Sequence, residues 1–144
     1  MSRNKARVVA MQALFQIDKS EGAVNNVVGA RAREETLDPG DAEYIRNIIK
    51  TVRENLRRID GIVGDYSTDW PIGRLGGVEL AVLRISLAEI LYLKDVPASV
   101  AVSEAVRIAK KFGTENSGRY VNGILGKFLR DNPSASSGGR TDER

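Results

Sequence analysis

The sequence predicts an all-α protein, and two observations lead to that prediction. Apolar residues recur at three- and four-residue spacing in several segments, the pattern of helices with one buried face. No stretch alternates between apolar and polar residues for long enough to indicate a strand. The chain has 144 residues, 42% of them hydrophobic, which is enough for one domain or for two small subdomains that share a core.

The amino-terminal part predicts three helices. Residues 3–19 carry one apolar stripe that Gly22 ends, and residues 23–35 predict a second helix with Gly29 in its middle. Pro39 suits a first helical turn, and the apolar spacing after it predicts a single long amphipathic helix. The apolar positions of this long helix are Ile45, Ile48, Ile49, Val52, Leu56, Ile59 and Val63.

A boundary between two helical subdomains, 1–66 and 67–131, is predicted at the stretch "GDYSTDWPIGRLGG" because turn-forming residues gather there. Trp70 is expected to pack this linker onto a bundle. Residues 78–93 are apolar on nearly every side and predict a central buried helix. Within it, Arg84 is expected to form a structural ion pair with Glu89 or Glu104.

Two further amphipathic helices follow the turn "KDVP". The first covers residues 98–112 and stops at Gly113, and the second starts at Asn116 or Ser117, either of which can cap it. Gly123 and Gly126 interrupt the last helix, and the interpretation is close packing against the central helix. Residues 132–144 are polar and predict a disordered tail.

Composition excludes several kinds of chemistry. The chain has no cysteine and no histidine, so thiolate sites, disulfides, histidine acid-base catalysis and the ordinary zinc sites are excluded. Only carboxylate, lysine or tyrosine chemistry is left for an enzyme, and no catalytic residue, metal or cofactor is predicted. No segment is apolar for long enough to span a bilayer or to form a signal peptide, and a cytoplasmic protein with no membrane partner is expected.

Charge is distributed unevenly although the net charge is only +3. The basic residues Arg3, Lys5 and Arg7 open the chain, and no acidic residue precedes Asp18. This asymmetry is compatible with a polyanionic partner, although a solvated terminus gives the same pattern.

The stretch "NSGRYVNGILGKF" adds a second candidate site. Gly118 falls in the first helical turn, where unpaired N–H groups and the positive end of the helix dipole can receive an anion. Arg119 next to it provides charge and Tyr120 a stacking face, a combination that single-stranded RNA recognition uses. Tyr120 could equally be a core residue.

The carboxy-terminal half carries four motifs in a fixed order: "AVLRI" in the central helix, "DVP" at the turn, "SEA" in the next helix and "FGTENSGRYVNGILG" after it. In these motifs it resembles the NusB family of bacterial transcription antitermination factors. The amino-terminal "RNKARVVAMQALFQID" resembles the family's basic, alanine-rich first helix. The middle of the chain and its tail are not covered.

The resemblance implies two antiparallel helical bundles packed together, with about seven helices. It implies binding of single-stranded boxA RNA together with the ribosomal protein NusE, in an antitermination complex with NusA, NusG and RNA polymerase that supports ribosomal RNA transcription. The RNA positions that match are Arg3, Lys5, Arg7, Asn116, Ser117, Gly118, Arg119 and Tyr120. Glu79 matches a contact of the family with NusE. Asn116 departs from the family, whose members commonly carry aspartate there.

Two other classes of function stay open on the sequence. NusB-like domains also occur fused to ribosomal RNA methyltransferases, but no strand, glycine-rich loop and helix of a cofactor-binding unit is present in this chain. A structural dimerisation module would also account for the apolar central helix. The sequence does not distinguish a monomer from a homodimer for the free protein.

Overall fold

The structure of the protein, a computed structural model, describes residues 2–15, 21–34, 37–67, 76–93 and 95–137. These residues form seven α-helices and no strand, which confirms the all-α prediction. The helices are α1 (Ser2–Leu14), α2 (Glu21–Glu34), α3 (Pro39–Glu54), α4 (Leu56–Tyr66), α5 (Gly77–Tyr92), α6 (Ala98–Phe112) and α7 (Ser117–Asp131).

The helices pack as two antiparallel bundles that share α5. Helices α1, α2 and α3 contact one another in the first bundle, and α5, α6 and α7 form the second. Helix α5 also contacts α1 and α3, so it joins the two. Helix α4 packs mainly against α5 and α7, and the predicted boundary after residue 66 therefore assigns α4 to the wrong bundle. Trp70, in the predicted linker, lies outside the described residues.

The single long helix predicted from Pro39 to Val63 is wrong, because the chain breaks at Asn55. The backbone of Asn55 leaves the helical region (φ −122°, ψ 22°), and its side-chain amide donates to the Thr51 carbonyl at 2.9 Å. The apolar spacing runs through this break without a change of phase. Periodicity alone therefore could not reveal it.

Helix α5 is the centre of the molecule, as its sequence predicts, and buries residues on nearly every side. Its Arg84 forms a two-point ion pair with Asp60 of α4, with distances of 2.9 Å from Nε and 2.8 Å from Nη2. The predicted partners of Arg84 were wrong, because Glu89 pairs with Arg7 and Glu104 pairs with Arg107. The Arg84 pair instead fixes α4 to the central helix.

The glycines late in α7 do not mark close packing. A Cβ atom at Gly123 would have no atom within 4 Å apart from its chain neighbours and the backbone of its own helix. A Cβ atom at Gly126 would meet only the end of the Arg130 side chain, at 3.4 Å. The interpretation of these two positions as contacts with the central helix is wrong. Both face away from it.

The predicted disordered tail starts too early. Residues Pro133–Ser137 form a short 3-10 helix that contacts α5, α6 and α7, and Ala135 packs against the core. Asn132 ends α7 by donating its amide to the Phe128 carbonyl at 2.8 Å. Composition is polar here, so hydropathy alone did not indicate these contacts. Residues 138–144 lie outside the described part of the chain.

Candidate nucleic-acid interface

The first turns of α1 place two of the predicted RNA-binding cations at the surface. Lys5 is exposed, and the Arg3 side chain is 43% exposed. Arg3 is nevertheless oriented by α3, because its Nε donates to the Asp41 carboxylate at 3.1 Å. Its guanidinium also lies over the Tyr44 ring, 4.3 Å from the centroid. The Arg3 side chain is thus oriented by its contacts with α3, whereas the exposed Lys5 side chain can change its conformation when a ligand binds.

Arg7, the third predicted cation of α1, does not reach the surface. It is 5% exposed, and its Nε donates to the Glu89 carboxylate at 3.0 Å across the junction of α1 and α5. The hydroxyl of Tyr44 donates to the same Glu89 oxygen. The assignment of Arg7 to RNA is wrong in this structure, because a buried and paired guanidinium cannot meet a phosphate.

The pKa values within this buried cluster follow from its burial and its charges. Burial is the largest influence on the Arg7 guanidinium and lowers its pKa, but the charge of Glu89 and the smaller contributions of its other neighbours together outweigh burial, and the pKa is raised overall. Burial, followed by the charge of Glu89, raises the pKa of the Tyr44 hydroxyl well above its ordinary value. Tyr44 therefore stays protonated and donates to Glu89 throughout the physiological range.

The turn between α6 and α7 forms the second part of the predicted site. Ser117 is 1% exposed, and its hydroxyl accepts from the Thr114 N–H at 2.8 Å and donates to the Glu79 carboxylate. A Cβ at Gly113 would lie 2.8 Å from the Ala109 carbonyl, so only glycine fits there. Ser117 is thus occupied within the protein and shapes the turn, and its direct contact with RNA is contradicted.

Gly118 also has a role different from the predicted one. It is buried, and a Cβ there would lie 2.6 Å from the Cγ atom of Lys110. The space left by the missing side chain is filled by the aliphatic stem of Lys110 rather than left open for an anion. Gly118 therefore lets α6 lie close to the first turn of α7.

Three residues at the start of α7 remain available to a ligand. Asn116 occupies the capping position without a side-chain capping bond, and both Asn116 and Arg119 are exposed. Tyr120 is half-buried, and its hydroxyl bonds to the Ser67 hydroxyl at the end of α4. The ring of Tyr120 packs against the core and keeps one part accessible, so its role as a stacking face for RNA stays a prediction.

Glu79, the predicted contact with the protein partner, lies in the first turn of α5 and is half-buried. Its carboxylate accepts from Ser117 and folds back over Gly76, where it occupies the space that a side chain would take. The predicted partner residue therefore touches the turn that presents Asn116 and Arg119. The two predicted surfaces meet at this point.

Residues 4–130 match the sequence model of the NusB family. The chain belongs to the NusB family. It is similar to the transcription antitermination protein NusB of Ruminiclostridium cellulolyticum, with 38% identity over 145 residues and 100% of both chains covered. The resemblance seen in the sequence is thereby confirmed.

Solved structures of NusB proteins have the same fold. T. maritima NusB is similar to this chain with a TM-score of 0.80 at 36% identity, covering 90% of this chain and 91% of that one. A structure of the antitermination factors NusB and NusE in complex with dsRNA has a TM-score of 0.78 at 26% identity, covering 90% and 97%. The predicted NusB-like arrangement of two helical bundles is confirmed.

Two residues that the sequence analysis did not single out lie next to the predicted site residues. Phe15, 50% exposed at the end of α1, lies 3.4 Å from where a Cβ of Gly77 would be, next to the first turn of α5. Lys110 is exposed and crosses the start of α7. An aromatic residue off the buried stripe of α1 was a signal for Phe15. Nothing in the sequence placed Lys110 over Gly118.

The described residues contain no group of three or more acidic side chains that could hold a metal ion. No helix within the described ranges is long and apolar enough to cross a membrane. What the site offers is a surface with exposed cations, amide groups and half-exposed aromatic rings. Such a surface is suited to binding a polyanion with bases.

Proposed function

We propose that this chain is a transcription antitermination factor that binds boxA RNA together with NusE and supports ribosomal RNA transcription by RNA polymerase. The observation that carries the proposal is the exposure of Lys5, Asn116 and Arg119 on a NusB fold, at positions that the family resemblance assigns to RNA. A NusB structure in complex with NusE and dsRNA supports the same reading.

RNA binding would rest on electrostatics and on one stacking contact. The cations would neutralise phosphates, the Asn116 amide could donate to a phosphate or a base, and the accessible part of the Tyr120 ring would receive a base. The buried bonds of Ser117 hold the turn in place before RNA arrives. A turn fixed in advance loses little conformational entropy on binding.

NusE would bind beside Glu79, and a carboxylate there suits a basic ribosomal protein. The complex would then join NusA, NusG and RNA polymerase in the cytoplasm. The chain would act as an adaptor without catalysis, since the sequence has neither histidine nor cysteine and the site has no group poised for chemistry. Both a monomer and a homodimer are compatible with this role for the free protein.

The test is a titration of labelled boxA-like RNA and a scrambled RNA of the same length and base composition, each with and without NusE. Tighter binding of the boxA-like RNA, strengthened by NusE, is expected. Equal affinity for both RNAs in the presence of NusE would contradict sequence-specific recognition. No RNA binding under any condition would leave a structural dimerisation module as the better account.

A further inference from the structure

The outer side of α3 and of the start of α4 concentrates the positive charge of the molecule. Between residues 46 and 58 the sequence has five basic residues and one acidic residue, a net charge of +4, whereas the whole chain carries only +3. None of the five belongs to the predicted RNA or NusE site. The residues of this α3–α4 basic face are Arg46, Lys50, Arg53, Arg57 and Arg58.

The spacing places four of these cations in one row along the helix. Positions 46, 50, 53 and 57 follow one another at intervals of four, three and four residues, which brings each side chain back to the same side of an α-helix. With a rise of about 1.5 Å per residue, the row is about 16 Å long.

The break between α3 and α4 keeps the two parts of this row in phase. The N–H of Asn55 donates to the Thr51 carbonyl at 3.2 Å, and the N–H of Ile59 donates to the Asn55 carbonyl at 2.9 Å. Bonds between residues four apart thus continue on both sides of the break. Arg57 therefore extends the row that Arg46 begins.

The side chains of the row are accessible to a ligand. Arg46, Lys50 and Arg57 are exposed, and Arg53 is half-buried. The acidic residue of the segment, Glu54, has a carboxylate oxygen 4.0 Å from the Lys50 ammonium nitrogen, and the two side chains are 61% and 64% exposed. An ion pair as exposed as this contributes little to stability, so a phosphate can replace the carboxylate.

The last cation of the face is oriented by α5. The Nη1 atom of Arg58 donates to the Tyr92 hydroxyl at 3.1 Å, and the guanidinium carbon lies 5.7 Å from the centre of the Tyr92 ring. Four of the five cations of the face are arginines. A guanidinium can donate two parallel hydrogen bonds to one phosphate, which makes arginine well suited to a phosphate backbone.

The absence of apolar surface on this face narrows the class of ligand. The exposed large apolar side chains of the described residues are Phe15, Val100 and Phe112, and none of them lies on α3 or α4. Protein interfaces are centred on apolar and aromatic side chains, and single strands are held by rings that stack on their bases. A row of cations without such groups suits a double helix, whose phosphates are outside and whose bases are already stacked.

We propose that the α3–α4 basic face binds the phosphate backbone of double-helical RNA without reading its sequence. The occupant is a paired stem of the same transcript whose single-stranded segment binds at the start of α7, and this assignment rests on the proposed function. Once one segment is bound, a stem of the same molecule stays near the protein at a high effective concentration. Duplex DNA and acidic proteins lack this advantage.

The first experiment measures the affinity of the full chain for an RNA hairpin with a fully paired stem and no boxA-like sequence, at several salt concentrations. The triple variant Arg46→Gln/Lys50→Gln/Arg57→Gln should lower the magnitude of the salt-dependence slope by roughly 2 to 3, because each phosphate neutralised on a duplex contributes roughly 0.9. Lys50→Gln alone should lower it by roughly 0.9. Both variants should bind a single-stranded boxA-like core as the wild type does.

A second triple variant is the matched control for the loss of charge. It removes three cations that are exposed and lie outside the α3–α4 basic face, one on α2 and two on α7. Its substitutions are Arg33→Gln, Lys127→Gln and Arg130→Gln. It has the same net charge as the first triple variant and should keep the wild-type slope for the hairpin. Thermal melts would establish that each variant is folded.

The second experiment tests the assigned occupant. The boxA-like core is joined to the hairpin through a short or a long unpaired linker, and each joined RNA is compared with the core alone. At least one joined RNA should bind the wild type more tightly than the core does. The Arg46→Gln/Lys50→Gln/Arg57→Gln variant should lose this gain, whereas the control variant should keep it.

The outcomes separate this proposal from the proposed function. Equal losses of hairpin affinity in the two triple variants would mean that only net charge matters, and would overturn the proposal. It is also overturned if the first triple variant loses affinity for a DNA hairpin or a hexaglutamate peptide and not for the RNA hairpin. If the hairpin binds the face but neither joined RNA gains affinity, the assigned occupant is wrong. If the core does not bind the wild type while the hairpin binds the face, the proposed function fails and the duplex site stands.

Discussion

The basic start of α1 and the start of α7 look alike in sequence, but the structure uses their charges differently. In α1, Arg7 is buried against Glu89 and Arg3 is held by Asp41 and Tyr44, so these cations mainly join helices. At α7 the hydroxyl of Ser117 is held internally while Arg119 remains exposed. The position of a cation on its helix, rather than its presence, decides whether it stabilises the fold or meets a ligand.

The largest expected effect is a loss of stability on removing Arg7, and it tests whether this cation of α1 stabilises the fold. Arg7→Ala would leave the Glu89 carboxylate buried without its cation, and should lower the free energy of unfolding by about 3–5 kcal/mol. Chemical denaturation would measure this loss. Lys5 lies on the exposed side of the same helix, and Lys5→Ala should change the free energy of unfolding by less than about 0.5 kcal/mol. A folded Arg7→Ala protein of normal stability that has lost RNA affinity would reverse the assignment of Arg7.

The same cluster should also make stability fall at alkaline pH. Because burial and Glu89 raise the pKa of Tyr44 in the folded state, its contribution is complete below the unfolded pKa of about 10 and decreases as pH rises above that value. The expected slope is up to about 1.4 kcal/mol per pH unit. Unfolding measured from pH 8 to 11 should show this slope in the wild type and a shallower one in Tyr44→Phe. Equal slopes in the two proteins would mean that the pKa of Tyr44 is not raised in the folded state.

A smaller effect is expected where the two predicted surfaces meet. Glu79→Lys removes the carboxylate that Ser117 bonds and places a cation beside α7. NusE binding should weaken by about 1 kcal/mol, mainly through a slower association rate, while RNA binding by the isolated protein stays equal or becomes slightly tighter. Surface plasmon resonance with each partner would measure both, with Glu79→Gln as the control that removes charge alone. Loss of RNA binding with unchanged NusE binding would contradict the assignment of Glu79.

The smallest effect concerns the cap of α7. Asn116→Asp places a carboxylate beside the proposed phosphate path, and should lower RNA affinity by up to about 1 kcal/mol at low salt and by less at high salt. Thermal stability should stay equal or rise slightly, because the aspartate complements the helix dipole. Titrations at two salt concentrations, beside thermal melts, would test this. Equal affinity at low salt would mean that Asn116 does not face the RNA.

The helices themselves were largely predictable from the sequence, because apolar spacing reports which face of a helix is buried. The break at Asn55 was not, since the spacing continues across it and neither glycine nor proline marks it. The partner of Arg84 was not predictable either. Asp60 lies on another helix, and only the packing of α4 against α5 brings the two together.

The candidate site was predictable in position and less so in detail. The burial of Arg7 had a signal in the sequence, because Arg7 shares a helix face with Ala10 and Leu14, which are buried. No signal in the sequence indicated the internal hydrogen bonds of Ser117, and none indicated that the Lys110 side chain lies over Gly118. They depend on how α6 and α7 approach each other, and local sequence does not specify that distance.

The central claim is that the exposed Arg119 at the start of α7 meets RNA whereas Arg130, at the opposite end of the same helix, does not. Its most direct test is the salt dependence of boxA-like RNA affinity for Arg119→Ala and for Arg130→Ala, an exposed arginine at the opposite end of α7. The slope should fall in magnitude by roughly 0.7 for Arg119→Ala and stay at the wild-type value for Arg130→Ala. A wild-type slope for Arg119→Ala would contradict the claim.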